Sequence, residues 1–427
     1  MLAIIFISML VPMLVMGLPM VGSYAMAFLV PCLLSGQEVF RLSDLVGWLA
    51  AGAGKDTYVA IALFVISGEL MSKGRLTERI FDIFAYLFGN FRSCFPLVAV
   101  MTSLFYGMIS GSGIAVVAAV GCMVLPYLVE LGYDVVFFAA MLACAGSLGQ
   151  LIPPSGAILQ TVAMMEDVNA TECFKVAMVM GLVCGLFLLV MTILHCRKDG
   201  GDRAKIEEKV KELRAKGFGR VFADSIWALL CPAIILGGIF TNIFTTAEAA
   251  AVSVVYAVIV SLFIYKTVNP KELWNTILGS VKAVAKLAML LAFAVSFSKL
   301  LAAYGLDVVI SNAASAVFAT KTSFILMSVL LMSVAMLIMN PTAIVIPIVY
   351  PVAKAFGIEL NVYAAGVSGL GAIGSLTPPF GMSLYVIAPI ANKDPMEICR
   401  KVIPLWLGMT IIISIIMLFP GLATWAL

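Results

Sequence analysis

Apolar residues run along this chain in long blocks, and polar residues punctuate those blocks rather than alternate with them. A block of about 20 apolar residues crosses a ~30 Å hydrocarbon layer as a helix, and such blocks recur from end to end. The pattern predicts an all-α polytopic membrane protein. The opening block breaks at Gly17-Leu18-Pro19 into two short spans; it lacks a basic leading segment and is too long for a signal peptide's apolar region. Scaffold spans are expected over 1–72. The tract 92–130 is interrupted at Ser110-Gly111-Ser112-Gly113 and reads as a hairpin. The tract 135–165 is broken at Gly149-Gln150-Leu151-Ile152-Pro153-Pro154-Ser155, and a span over 171–195 closes a first half, 1–195. A charged linker, 196–221, leads to a second half, 222–427. That half should hold scaffold spans over 222–303, an arm over 304–321 and a hairpin over 322–356 interrupted at Asn340-Pro341-Thr342. A helix over 362–391, broken at Gly374-Ser375-Leu376-Thr377-Pro378-Pro379, and a closing span over 402–426 complete it. No soluble domain is expected before or after.

The two halves resemble each other. At an offset of 225 residues, Pro126–Gly156 lies over Pro351–Gly381 without a gap, and ten of 31 positions are identical. They include Gly146/Gly371, Gly149/Gly374, Leu151/Leu376, Pro153/Pro378, Pro154/Pro379 and Gly156/Gly381. Shared apolar composition does not by itself align glycines and prolines in this way.

Charge supplies the orientation. Hydrophobic residues make up 63% of the chain and charged ones 11%, with a mean hydropathy of +1.12, which excludes an ordinary soluble domain. Nine basic and five acidic residues fall between Cys196 and Arg220, so the linker, read as a short amphipathic helix, should be cytoplasmic. Counting spans from it puts both termini outside, opens the 92–130 hairpin from the cytoplasm and the 322–356 hairpin from outside. The repeats then run in opposite directions, the inverted-repeat architecture of secondary transporters. The net charge of +3 is dispersed or in loops, which argues against a nucleic-acid partner. Nine cysteines form no C-x-x-C and mostly lie in apolar tracts, so core packing is expected rather than disulfides or a metal cluster.

The interruptions carry the candidate chemistry. Proline removes a backbone donor and crowds the preceding turn, which releases carbonyls from their helical partners. In a membrane such carbonyls need protein, water or an ion. Hairpin tips add the hydroxyls and amide of Ser110, Ser112, Asn340 and Thr342, and helix N-termini nearby suit a substrate carboxylate. A lone Pro-Pro break is most simply a kink; two at matching repeat positions, each with a polar tip, point to ion or substrate sites. Elsewhere, His195 reads as an interfacial residue, Glu69 as an i,i+4 partner of Lys73, and Lys282 and Lys286 as snorkelling lysines. For Lys299, within an apolar span, a functional and a structural role remain open. With one histidine, no G-x-S-x-G and no paired intramembrane aspartates, an intramembrane enzyme is disfavoured, and broken inverted helices fit a carrier better than a channel.

Ser110-Gly111-Ser112-Gly113-Ile114-Ala115-Val116-Val117-Ala118-Ala119-Val120-Gly121 and Leu151-Ile152-Pro153-Pro154-Ser155 resemble segments of the large membrane subunit of TRAP (tripartite ATP-independent periplasmic) transporters. So do Ser67-Gly68-Glu69-Leu70-Met71, Asn340-Pro341-Thr342 and Leu376-Thr377-Pro378-Pro379-Phe380-Gly381. The resemblance spans nearly the whole chain. It implies an elevator transporter of the bacterial inner membrane, with the hairpins and broken helices in a moving domain and periplasmic termini. It implies sodium-coupled import of an organic acid, such as a sialic acid or a dicarboxylate, delivered by a periplasmic substrate-binding protein. A small four-helix membrane subunit is implied too, and is expected as a separate chain because the first span begins at residue 2. Carried over by position, one Na+ site uses Ser110, Ser112, Gly149, Ile152 and Pro153, and a second uses Asn340, Thr342, Gly374, Thr377 and Pro378. Substrate contacts are expected from Ser155, Ser112, Thr342 and Gly381. Gly113-Ile114 departs from the family pattern, which carries a second small polar residue and alanine there, so one tip hydroxyl is missing. A standalone sodium- or proton-coupled carboxylate symporter or exporter is the alternative.

Overall fold

A computed structural model of the chain describes residues 2–34, 41–53, 56–73, 76–89, 94–198, 200–215, 217–318, 320–336, 342–377 and 381–425, and among them every regular element is a helix. The first half holds α1 (Leu2–Val15), α2 (Met20–Leu34), α3 (Leu42–Ala53), α4 (Asp56–Lys73) and α5 (Leu76–Phe88), then α6 (Cys94–Ser110), α7 (Gly113–Glu130), α8 (Val135–Gly149), α9 (Gly156–Met164) and α10 (Ala170–Lys198). The charged linker forms α11 (Arg203–Ala215). The second half holds α12 (Phe218–Phe240), α13 (Thr246–Ile259, prolonged by a π turn over Val260–Ile264), α14 (Pro270–Ala303) and α15 (Leu306–Val317). It continues with α16 (Lys321–Ala335), α17 (Thr342–Ala355), α18 (Leu360–Gly374), α19 (Met382–Ala391), α20 (Pro395–Leu418) and the single turn α21 (Gly421–Thr424). Six of these are long and apolar enough to cross a membrane: α7, α10, α12, α13 with its π turn, α14 and α20.

Helix ends follow local chemistry more closely than hydropathy does. Asp134 caps α8 by accepting the N–H groups of Val136 and Phe137 at 2.9 and 3.2 Å, and Asn269 and Glu272 form a capping box across Pro270 at the start of α14. Capping lets α14 begin seven residues before the apolar run at Ile277, and lets α20, capped by Asp394, begin seven before Val402. The closing span in turn stops at Leu418, short of the expected 426, because Pro420 lacks the N–H that would continue it.

Helix ends recur at the repeat offset. The starts and ends of α8 and α18, the starts of α10 and α20, and the ends of α6 and α16 and of α7 and α17 all lie 225 residues apart. Gly132 and Gly357, in the turns ahead of α8 and α18, both have positive φ.

The core centres on α8 and α18, short helices rich in Ala, Gly and Ser. Every residue of α8 from Phe137 to Gly149 is buried, and α18 is nearly as enclosed. Small side chains let helix backbones approach closely, which gives dispersion contacts where lipid removes the hydrophobic drive. α8 packs on α6 and α7 from its own half and on α18, α19 and α20 from the other, while α13 lies along α4 and α14 along α2, α3 and α4. Lys73 does not pair with Glu69 here: its Nζ donates to Thr276 Oγ1 on α14 at 2.8 Å. His195 stacks on Phe137 at 3.6 Å with its Nε2 3.6 Å from Asp134, and eight of the nine free cysteines are buried, Cys122 being exposed.

Candidate functional site

Both helix breaks lie where α8 and α18 end, close to the buried centre. In the first, Leu151 N–H donates to Leu148 O at 2.9 Å and Ile152 N–H to Gly149 O at 3.2 Å, so the last carbonyls of α8 are taken up in a tight turn. Ser155 then caps α9: its hydroxyl donates to Gln150 O at 2.6 Å and accepts from Ile158 N–H at 3.2 Å. Pro153 and Pro154 are joined by a cis bond. The second break repeats the turn, with Leu376 N–H to Ile373 O at 3.0 Å and Thr377 N–H to Gly374 O at 2.9 Å. Gly381 caps α19 so close to the break that a Cβ there would stand 2.5 Å from Ser375 O. A carbonyl has two lone pairs, so each of these accepts an N–H and keeps capacity for a second partner.

Glycines seat the first hairpin tip against the first break. Gly107 of α6 lies on Gly149 of α8, and a Cβ on Gly107 would be 2.5 Å from the Gly149 Cα. Gly113, opening α7, is as tight against Ser147. Between them Gly111 has φ +63, where a side chain would be strained. At the tip Ser112 N–H donates to Ser110 Oγ at 3.2 Å, and Ser112 Oγ accepts from Ala115 N–H at 3.4 Å. The described residues flanking the second tip lie on α18: Thr342 Oγ1 would be 3.1 Å from a Cβ on Gly371, and Met336 lies against Gly374. Asn340 and Pro378 lie outside the described residues.

Among the expected ligands, Gly149, Ser110 and Ser112 therefore come together at one tip and break, and Thr342, Gly374 and Thr377 gather around the end of α18. The Ile152 side chain turns away, into an apolar cavity of about 560 Å³ shared by α5, α6, α10 and α12, so any polar contact from Ile152 is its backbone's. Thr377 Oγ1 is buried and has no hydrogen-bond partner among the described residues. A buried hydroxyl left unsatisfied costs about 1–3 kcal/mol, which is the cost an added oxygen-seeking ligand would relieve.

Four polar residues that individual motifs did not single out join the two breaks. Ser147 Oγ lies 2.9 Å from Ser375 Oγ and 3.1 Å from Ser383 Oγ, and Ser383 and Ser375 are 3.2 Å apart. Gln150 Nε2 donates to Ala372 O at 2.8 Å, and its Oε1 accepts the Gly113 N–H at 3.5 Å. The sequence held one signal for them: Gln150 and Ser375 occupy the same repeat position, polar in both halves.

Helices α4 and α2 reach the first tip and the start of α17. A Cβ on Gly68 of α4 would stand 2.9 Å from the carbonyls of Ile109 and Ser110, and Tyr24 of α2 donates its hydroxyl to Ala343 O at 2.8 Å.

Two packed helix breaks in a multi-span helical body are the construction of a membrane carrier. Over residues 1–422 the chain belongs to the family described as "Tripartite ATP-independent periplasmic transporter, DctM component" and is thus a transporter subunit rather than an enzyme. It is 29% identical over 427 residues to a putative TRAP transporter large permease protein of Haemophilus influenzae, covering 97% of this chain and 96% of that one. It is 30% identical over 370 residues to the C4-dicarboxylate TRAP transporter large permease protein DctM of Pseudomonas aeruginosa, covering 85% and 84%. In fold it is similar to the YdaH transporter of Alcanivorax borkumensis, with a TM-score of 0.62 at 14% identity over 88% of this chain and 87% of that one.

Proposed function

We propose that this TRAP large permease subunit imports an organic acid by sodium symport, with the acid delivered by a periplasmic binding protein and a small membrane subunit enlarging the scaffold. The observation that carries the reading is the meeting of two helix breaks at the buried centre of the chain, with Ser110 and Ser112 at the first and Thr342 beside the end of α18 at the second. The carboxylate chemistry is supported by the name of the Pseudomonas relative, a C4-dicarboxylate permease. The chain lies in the bacterial inner membrane with the α11 linker cytoplasmic, as its nine basic residues favour, and both termini periplasmic.

In this reading the α6–α7 and α16–α17 pairs are re-entrant hairpins of inverted orientation, and with the broken helices they form the moving domain. Sodium is cargo as much as ligand. One ion is held by Ser110, Ser112 and the backbone of Gly149, Ile152 and Pro153. The other is held by Asn340, Thr342, Gly374, Thr377 and Pro378, where the Thr377 hydroxyl supplies an oxygen otherwise unused. Ions at both places draw the tips onto the breaks and organise a carboxylate site edged by Ser112, Thr342 and Gly381. Ser155, whose hydroxyl is committed to Gln150 O and Ile158 N–H, orients the helix end below it. The loaded domain then slides past α2 and α4 and opens inward. Each sodium charge crossing adds about 2.3 kcal/mol per 100 mV of membrane potential, besides its concentration gradient.

The test is uptake into proteoliposomes holding this chain and its small subunit, with a labelled C4-dicarboxylate and a candidate binding protein outside. Uptake that needs both an inward sodium gradient and the binding protein is expected. Sodium-dependent uptake without the binding protein would instead make the chain a standalone symporter, and uptake driven equally by a proton gradient in choline would remove the sodium sites.

A further inference from the structure

Two bonds between the helix breaks connect equivalent repeat positions in opposite directions. Subtracting the 225-residue offset, Ser375 corresponds to Gln150 and Ala372 to Ser147. Gln150 of the first half reaches position 372 of the second, donating Nε2 to Ala372 O at 2.8 Å. Ser375 of the second half reaches position 147 of the first, with its Oγ 2.9 Å from Ser147 Oγ. The C-cap residue of each central helix is thus tied, three residues back, to the last turn of the other. Ser383 on α19 closes the second tie into a ring of three hydroxyls.

Each tie also runs into its own candidate ion site. Gln150 Oε1 accepts the N–H of Gly113, the first residue beyond the first tip, and the Gln150 carbonyl accepts from Ser155 at the far side of its break. Ser375 lies two residues from Thr377, and its carbonyl accepts the Ser383 N–H at 3.1 Å. A shift of either break therefore pulls on a hydrogen-bonded group in the other, half-buried Gln150 and Ser375 being tied to buried Ala372 and Ser147. Such groups resist moving singly, because a lone displacement leaves the buried partner's donor or acceptor unsatisfied.

We infer that Gln150, with Ser147 and Ser375, is a positioning device that couples the two ion sites, so that filling one break by sodium pre-organises the other and the two ions bind cooperatively. None of the three side chains is itself an expected ion ligand; they act through the breaks they join. The inference rests on the sodium reading above.

Equilibrium sodium binding to the purified protein with its small subunit tests it, by calorimetric titration in choline at constant ionic strength. Gln150→Glu keeps the size and the acceptor but loses the donor to Ala372 O; Ser147→Ala cuts the mirror tie without adding charge. The wild-type isotherm should be steeper than for independent sites, with a Hill slope approaching about 2, and each variant should still bind two ions with a slope near about 1. The first half-saturation should move little and the second should weaken several-fold. A wild-type slope of about 1, or a steep slope unchanged in both variants, overturns the coupling while leaving the ion sites standing. Absence of sodium binding in the wild type overturns the sites and the coupling together. Should Gln150→Glu fail to fold, Ser147→Ala alone decides between these outcomes.

Discussion

At the residue scale, Thr377 separates a ligand from a packing role by the sign of one substitution. Its hydroxyl is buried and unpartnered among the described residues, so as packing alone it is a liability, and Thr377→Val, nearly equal in volume, should leave stability in choline unchanged or raise it by about 1 kcal/mol. If Thr377 holds sodium, the same variant loses part of the sodium-induced rise in melting temperature. The check is a thermal melt of wild type and variant with sodium replaced by choline, and an undiminished sodium response in the variant removes Thr377 from the site. Thr377 could be read from the sequence because it stands beside a repeated Pro-Pro pair. Ser147 and Ser383 could not be read individually, since a serine inside an apolar helix carries no period, and Ser375 stood in its break without its partners. Their meaning appears only when α8, α18 and α19 bring the hydroxyls within 2.9–3.2 Å.

At the scale of elements, the turn between α9 and α10 is fastened to the second hairpin. Asp167 accepts from Lys354 Nζ at 2.5 Å and from the Tyr350 hydroxyl at 2.7 Å, both on α17, while Asn361 at the start of α18 donates to Glu172 and accepts from the Asn169 N–H at 3.0 Å. The Lys354 and Tyr350 hydrogen bonds hold the Asp167 carboxyl below the usual carboxylate range. A depressed carboxylate stabilises the fold fully above its unfolded-state value, and that stabilisation fades as pH falls through the lower folded value. Melting temperature followed from neutral pH downward should therefore show wild type above Asp167→Asn at neutral pH, with the gap closing in acid. Because both partners are largely exposed, added salt should narrow the gap as well. Parallel curves at all pH values would mean that the bonds do not fasten the turn. Nothing in the sequence marks the partner of Asp167. Lys354 is 187 residues away, and only the packing of α17 over the turn joins them.

At the scale of the whole molecule, the repeat and the breaks were legible because glycine and proline are needed for backbone reasons that composition cannot supply. Helix starts were displaced by as much as seven residues because capping continues a helix past the point where its apolar run stops. The contacts that the proposed movement would break are legible only in three dimensions, and Gly68 makes the sharpest of them. Residues 109 and 110 bring their carbonyls so close to α4 that a Cβ at position 68 would sit 2.9 Å from each. Gly68→Ala should therefore disfavour the arrangement seen here, by about 1–3 kcal/mol, the usual cost of overpacking. If the tip and α4 separate during transport, that cost is relieved in the separated state, and the population moves toward it by roughly a factor of ten for each 1.4 kcal/mol. Spin labels on α4 and α7, read as a distance distribution in nanodiscs, report this directly. A second, longer distance gaining population in Gly68→Ala is the result expected of a sliding domain. One unchanged distance with a lowered melting temperature would make Gly68 a fixed packing contact and would put α4 and the first hairpin in the same rigid body, against the proposed assignment of α4 to the scaffold.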